Sequence, residues 1–165
     1  MKLKKLLILP LLLSLGFFSS CDQDDEPEIE YMATYPVSGE WVVNYYVENS
    51  DGELEEIAPH TQIRAYNTAA NVPTEIWIDD QGTFWDYKVR AGLNMSDLSF
   101  SGTELENQSY ESKVTITDGK VIRNGTSIKG IPADSIYFRV SFDDDEEPYS
   151  TIYHAAGHRS NGSGD

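Results

Sequence analysis

Beyond residue 37, apolar and polar side chains take turns along most of this chain. In residues 38–48, "SGEWVVNYYVE", Trp41, Val43, Tyr45 and Val47 share one face, while Val42, Asn44 and Tyr46 share the other. That is the period of two by which a strand shows successive side chains to opposite sides. After a turn at Asp51-Gly52, Ile63, Ala65 and Asn67 alternate with Arg64 and Tyr66. "TEIWIDDQGTFWDYKVR" reads as two strands about a turn at 79–82, with Ile76 and Ile78 on one face before it and Trp85, Tyr87 and Val89 after it. "KVTITDGKVIRNG" predicts a hairpin with Asp118-Gly119 in the two-residue position of a type I′ turn. "DSIYFRVSF" alternates Ile136, Phe138, Val140 and Phe142 against Tyr137, Arg139 and Ser141; residues 143–148 form the next turn and 150–155 the last strand. No window sustains a helical period, and 54–57 offers one helical turn at most.

Eight or nine short strands at intervals of about ten residues favour an antiparallel sandwich or barrel over a parallel sheet. The expected fold is all-β: an up-and-down meander that closes into a barrel, because closure removes the exposed strand edges on which such chains aggregate. Residues 37–165 form this one domain, a length that supports one core. The chain has a single cysteine, so no disulfide braces the domain and apolar burial must hold it.

The two ends change the picture. Lys2, Lys4 and Lys5 precede a thirteen-residue apolar run, 6–18, interrupted by Pro10 and followed by Ser19-Ser20-Cys21. This reads as a secretion signal over 1–20, and the run is too short to span a bilayer. The formal net charge is −16; removing the three lysines of the signal leaves nine basic against 28 acidic residues, a net of −19. Such a chain repels nucleic acid, and its side chains do not draw it to anionic lipid. Residues 22–30, "DQDDEPEIE", lack apolar periodicity and read as a solvated acidic tether, with Cys21 and 31–36 completing the segment 21–36.

Four resemblances follow from these residues. A lone cysteine directly after a signal core resembles the lipobox of bacterial lipoproteins, which implies that Cys21 carries the lipid and anchors the chain. Acids just after it resemble the export signal of surface lipoproteins, so the outer membrane is the expected location, at the cell surface or on the periplasmic face. Gly39-x-Trp41 on the first strand resembles the lipocalin and calycin pattern. That pattern implies Trp41 at the closed floor of the barrel, with Arg159 of "AAGHR" across its face. Finally, "AYNTAANVPTEIWIDD", "FWDYKV", "LSFSG", "VTITDGKVIRNG" and "DSIYFRVSFDDD" are similar to the bacterial lipoproteins labelled lipid-binding putative hydrolases. The resemblance covers most of 37–158 and implies a lipocalin-like barrel and lipoprotein biology.

If Trp41 points inward, alternation sends Val43, Tyr45, Val47, Trp85, Tyr87, Val89, Ile136, Phe138 and Val140 inward with it. Tyr45, Trp85, Tyr87 and Phe138 are then the candidate ligand-binding groups, suited to a small hydrophobic or amphipathic molecule with phenolic anchors. The same residues equally describe a packed core. Trp77, opposite Ile76 and Ile78, points outward beside Asp79 and Asp80, either as a sugar-stacking platform or as a cross-strand packing partner. A surface module for glycans or a partner lipoprotein is therefore an alternative to a ligand carrier. Hydrolysis, which the family label implies, has no readable motif. There is no Gly-x-Ser-x-Gly, the one thiol is assigned to the lipid, and no spacing selects a serine for His60, His154 or His158. Asp79 and Asp80, adjacent on a strand, point oppositely and cannot face one glycosidic bond. His154 and His158 lie on one face of a strand at about 13 Å, too far apart for one zinc ion. Residues 143–147, "DDDEE", lack the glycine turn of a calcium loop and read as a solvated turn. No cofactor and no resident metal is expected.

Overall fold

The computed structural model describes residues 31–147 and 151–162. The signal sequence, Cys21 and the acidic run 22–30 lie outside the described residues. Eight antiparallel strands follow one another around a closed barrel: β1 (Gly39–Glu48), β2 (Leu54–Tyr66), β3 (Glu75–Asp79), β4 (Lys88–Asn94), β5 (Ser99–Glu106), β6 (Lys113–Ile128), β7 (Ile131–Phe142) and β8 (Tyr153–Arg159). Each strand pairs with its sequence neighbours, and β8 returns to β1 with Trp41 opposite Arg159 and Val47 opposite Tyr153. The all-β barrel expected from the alternation is the fold observed.

In an up-and-down barrel the connections after odd strands share one end and those after even strands the other. One end, the floor, holds residues 31–38 and the turns 67–74, 95–98 and 129–130. The other, the mouth, holds 49–53, 80–87, 107–112, 143–147 and 151–152. Inward positions are the alternating apolar ones: Trp41, Val43, Tyr45, Tyr87, Val89, Phe138 and Ile63 have no exposure, and Ile136 and Val140 almost none, while Val47 and Trp85 remain half-buried.

Four local expectations are corrected. Asp118-Gly119 is not a hairpin turn. β6 runs through it, and the register against β7 slips between Thr117 and Lys120, a β-bulge. Asp118 takes a positive φ of 55°, and a Cβ on Gly119 would stand 2.3 Å from the Phe100 carbonyl oxygen, so close strand approach, not chain reversal, requires the glycine. The reversal comes at Lys129-Gly130, both at positive φ, between the paired residues Ile128 and Ile131. Residues 54–57 are extended at the start of β2, where Glu55 and Glu56 pair with Val47 and Tyr46. The last strand is Tyr153–Arg159 rather than 150–155. The turn expected at 79–82 reaches Tyr87, so Trp85 lies in a loop and not on a strand.

Candidate functional site: the floor clamp and the capped mouth

At the floor, residues 34–38 turn beneath Trp41. Val37 N and Ser38 N donate to the Thr34 carbonyl, and the indole Nε1 of Trp41 donates to Val37 O at 3.3 Å. Arg159 closes the barrel over this turn. Its Cζ lies 4.3 Å from the Trp41 ring centre, Nη1 donates to Ser38 O at 2.7 Å, Nη2 donates to Pro36 O, and Nε donates to Asp134 Oδ2 at 3.2 Å. The planar fork lets one guanidinium stack on an indole and serve three acceptors together. Gly39 has its reason here: a Cβ would stand 2.1 Å from Arg159 Nη1.

At the mouth, the β3–β4 loop is built around one carboxylate. Asp80 is fully buried, and its two oxygens accept backbone N–H groups of Gly82, Phe84, Trp85, Asp86 and Tyr87 at 2.8–3.2 Å. A buried charge needs such a cradle to offset its lost hydration. The cradle points two rings of the loop into the barrel's end. Phe84 stacks on Tyr45 at 3.9 Å and meets Tyr153 edge-on at 5.2 Å; Trp85 stacks on Phe142 at 4.5 Å with the planes 5° apart. Beneath them the Tyr45 and Tyr87 hydroxyls hydrogen-bond at 2.9 Å, both residues without exposure.

The acidic turn is solvated at Asp143, Asp144, Glu146 and Glu147, as expected, while Asp145 is buried and the turn is also tied into this cap. Asp143 Oδ1 accepts Lys113 N, Asp144 accepts Tyr110 Oη at 2.7 Å and the Trp85 indole at 3.4 Å, and buried Asp145 accepts Tyr153 Oη. These carboxylates tie three mouth connections together. Among the described residues no group of acids, histidines or cysteine is arranged to hold a metal ion.

The phenols are held in their neutral form. Burial pushes Tyr45 and Tyr87 far above the ordinary phenol range, and burial, then the Asp145 charge, pushes Tyr153 up to about 12. Near neutrality the phenols at the mouth therefore offer neutral hydroxyl donors and acceptors in apolar surroundings.

Of the candidate binding residues, the structure brings Tyr45, Trp85 and Tyr87 together. Phe138 packs instead against Phe100 at 5.8 Å. Phe84, Phe142, Tyr153 and the organising Asp80 complete the mouth. From sequence none of them has a binding role, Asp80 entering only as a turn residue and a rejected glycosidic partner of Asp79, and only Phe142 carries a signal, the period it shares with Phe138 and Val140. The histidines are elsewhere. His154 Nδ1 hydrogen-bonds Tyr137 Oη at 2.8 Å, His158 Nδ1 lies 3.2 Å from the Arg159 carbonyl, and His60 sits exposed at a bulge of β2. Among the described residues no histidine is hydrogen-bonded to a serine.

Among solved structures the chain is similar to a structural genomics protein of unknown function from Bacteroides ovatus, at 12% identity and a TM-score of 0.49, over 78% of this chain and 43% of that one. This chain thus spans less than half of that protein's length. No curated protein matches it by sequence. The family model described as "lipid-binding putative hydrolase" matches residues 26–163, a span that runs from before β1 to beyond β8. The chain belongs to the lipid-binding putative hydrolase family.

Proposed function

We propose that this protein is a lipid-anchored outer-membrane lipoprotein whose barrel mouth binds a small hydrophobic or amphipathic molecule without transforming it. The observation that carries the reading is the convergence of Tyr45, Phe84, Trp85, Phe142 and Tyr153 at one end, above the Tyr45–Tyr87 hydroxyl pair. An apolar chain replacing Phe84 and Trp85 would meet aromatic walls, and a polar group on it would meet neutral phenols. The loop can yield as a unit because its inner hydrogen bonds converge on Asp80. Membership of a lipid-binding family and a closed barrel support ligand binding. The anchor is assigned to Cys21, with 22–30 as spacer. Whether the domain faces the periplasm or the cell surface follows from how export reads that acidic spacer.

Titration of the purified protein with oleate, lysophosphatidylcholine and retinol tests the reading. Binding lifts Trp85 off Phe142, so tryptophan emission changes, and Trp85→Phe abolishes that change while Trp77→Phe retains it. No change with any of the three probes, or steady turnover of a p-nitrophenyl ester, would overturn it.

A further inference from the structure

The barrel wall is not uniform. The β4–β5 ladder lasts three residue pairs, Gly92–Ser101 to Asn94–Ser99, and then stops. β5 slips register against β6 between Phe100 and Gly102 and again between Gly102 and Leu105, and Glu104 takes a positive φ of 49°. The two strands are tied again only at the mouth, where Gln108 N donates to Lys88 O at 2.9 Å and Asn107 Oδ1 accepts Lys88 N at 3.0 Å. Leu105 fills the wall at the gap. It leans over Gly102, where a Cβ would stand 2.5 Å from its Cδ2.

The gap leaves a groove of about 450 Å³ on the outer face, lined by Trp77, Arg90, Glu104, Leu105, Glu106 and Gln108. That volume lies within the range of small-molecule sites. Trp77 and Arg90 are directly paired across β3 and β4, so both side chains stand on the same bank. Trp77 is half-buried, and Lys88 Nζ stands 5.3 Å from its ring centre, a contact that fixes how the indole lies. Arg90 is held only by a 3.5 Å pair with Glu75 and is 60% exposed, leaving its donors available.

The charges decide the ligand class. A cation entering the groove would meet Arg90, and an anion would meet Glu104, while Glu106 is already paired with Lys113 at 2.9 Å. A neutral molecule whose groups both donate and accept suits the lining: hydroxyls donate to Glu104, accept from Arg90, and do either with Gln108. A ring with one apolar face suits the indole. We infer that this groove is a saccharide-binding site, with a neutral sugar ring stacked on Trp77 and its hydroxyls held by Arg90, Glu104 and Gln108. The groove lies on the outer wall and meets the mouth through Gln108 of the 107–112 connection, but sugar binding there does not depend on the mouth's proposed function.

Calorimetry of the full-length protein with cellobiose, maltotriose, mannobiose and N,N′-diacetylchitobiose tests this, together with the indole N–H resonances assigned by Trp41→Phe, Trp77→Phe and Trp85→Phe. At least one sugar is expected to bind with a Kd below ~10 mM and to move the Trp77 signal while leaving the Trp85 signal in place, and Trp77→Ala should weaken it about tenfold or more. Trp85→Ala should leave sugar binding unchanged. Because Trp77→Ala also removes packing, the surface variant Gln108→Ala, expected to weaken binding several-fold, supplies a second reading. Absence of binding by all four sugars, binding indifferent to both Trp77→Ala and Gln108→Ala, or preferential occupation by butylammonium or succinate would overturn the inference.

Discussion

Asp80 shows how much one side chain can organise. Its carboxylate is buried and receives five backbone N–H groups, so Asp80→Asn removes charge and acceptors from a cradle built for both. Hydrogen bonds to a charged group contribute about 1.5–3 kcal/mol each, and they are not additive; the expected loss is about 3 kcal/mol or more, read as a lower urea midpoint. Emission from Trp85 should also become solvent-like, because Phe84 and Trp85 lose their mounting. At the floor, Arg159→Lys keeps the charge but not the fork that serves Ser38, Pro36 and Asp134, and should cost about 2 kcal/mol in the same measurement. The mouth phenols set an alkaline limit. Their folded pKa values lie above the ordinary 10.0, so their contribution to stability is complete below pH 10 and is lost as pH rises through about 12, the value for Tyr153. The urea midpoint should thus hold between neutrality and about pH 10 and fall above it, with Tyr45 and Tyr87 ionising only as the barrel opens.

Among the elements, β6 and β8 show why strand signals are only partly legible. Asp-Gly tells a reader that the backbone can take a positive φ, and a hairpin turn and a bulge both ask for that. Only the approach of Phe100 to Gly119 selects the bulge, and Phe100 is a neighbour the local sequence cannot reveal. β8 depends on the same kind of approach. A Cβ at Gly157 would stand 1.9 Å from Val42 O and 2.6 Å from Val43 Cα, both backbone atoms of β1. Gly157→Ala must push apart the seam where the last strand meets the first. The expected outcome is a loss of about 3 kcal/mol or more, or failure to fold, seen as lost cooperativity in thermal melts. Gly130→Ala is its control: nothing lies within 4 Å of a Cβ there, and the cost is confined to positive φ at a turn, about 1 kcal/mol.

For the whole molecule, the β1–β8 seam joins segments more than a hundred residues apart, as the pair of Trp41 with Arg159 shows. Such closure must wait until the intervening meander is ordered, so refolding after dilution from denaturant should be slow, on the millisecond-to-second scale, and slower still in Arg159→Lys if the seam forms in the transition state. Ligand binding at the mouth belongs to this scale too. The loop 80–87, the turn 107–112 and the acidic turn meet through Trp85, Tyr110 and Asp144, so displacing one ring disturbs all three. An occupied mouth should therefore slow backbone amide exchange in 107–112 as well as in 80–87, measured with and without oleate.

Residue order alone determined the fold class, because a period of two is a local property and barrel closure is the means by which an all-β chain without disulfides hides its edges. The same period placed Tyr45 on the inward face, and the resemblance of Gly39-x-Trp41 to the calycin pattern paired Trp41 with Arg159, whereas Trp85, expected on a strand, reaches the mouth from a loop. What only the tertiary structure decided is contact between segments far apart in sequence: the acceptor role of Asp80 and Asp145, the rings that meet at the mouth, and the broken ladder beside Trp77. The physical reason is that alternation tells which side of a strand a residue occupies, whereas bulges, register and loop paths, set by close approach of distant backbone, decide which other residue it finds there.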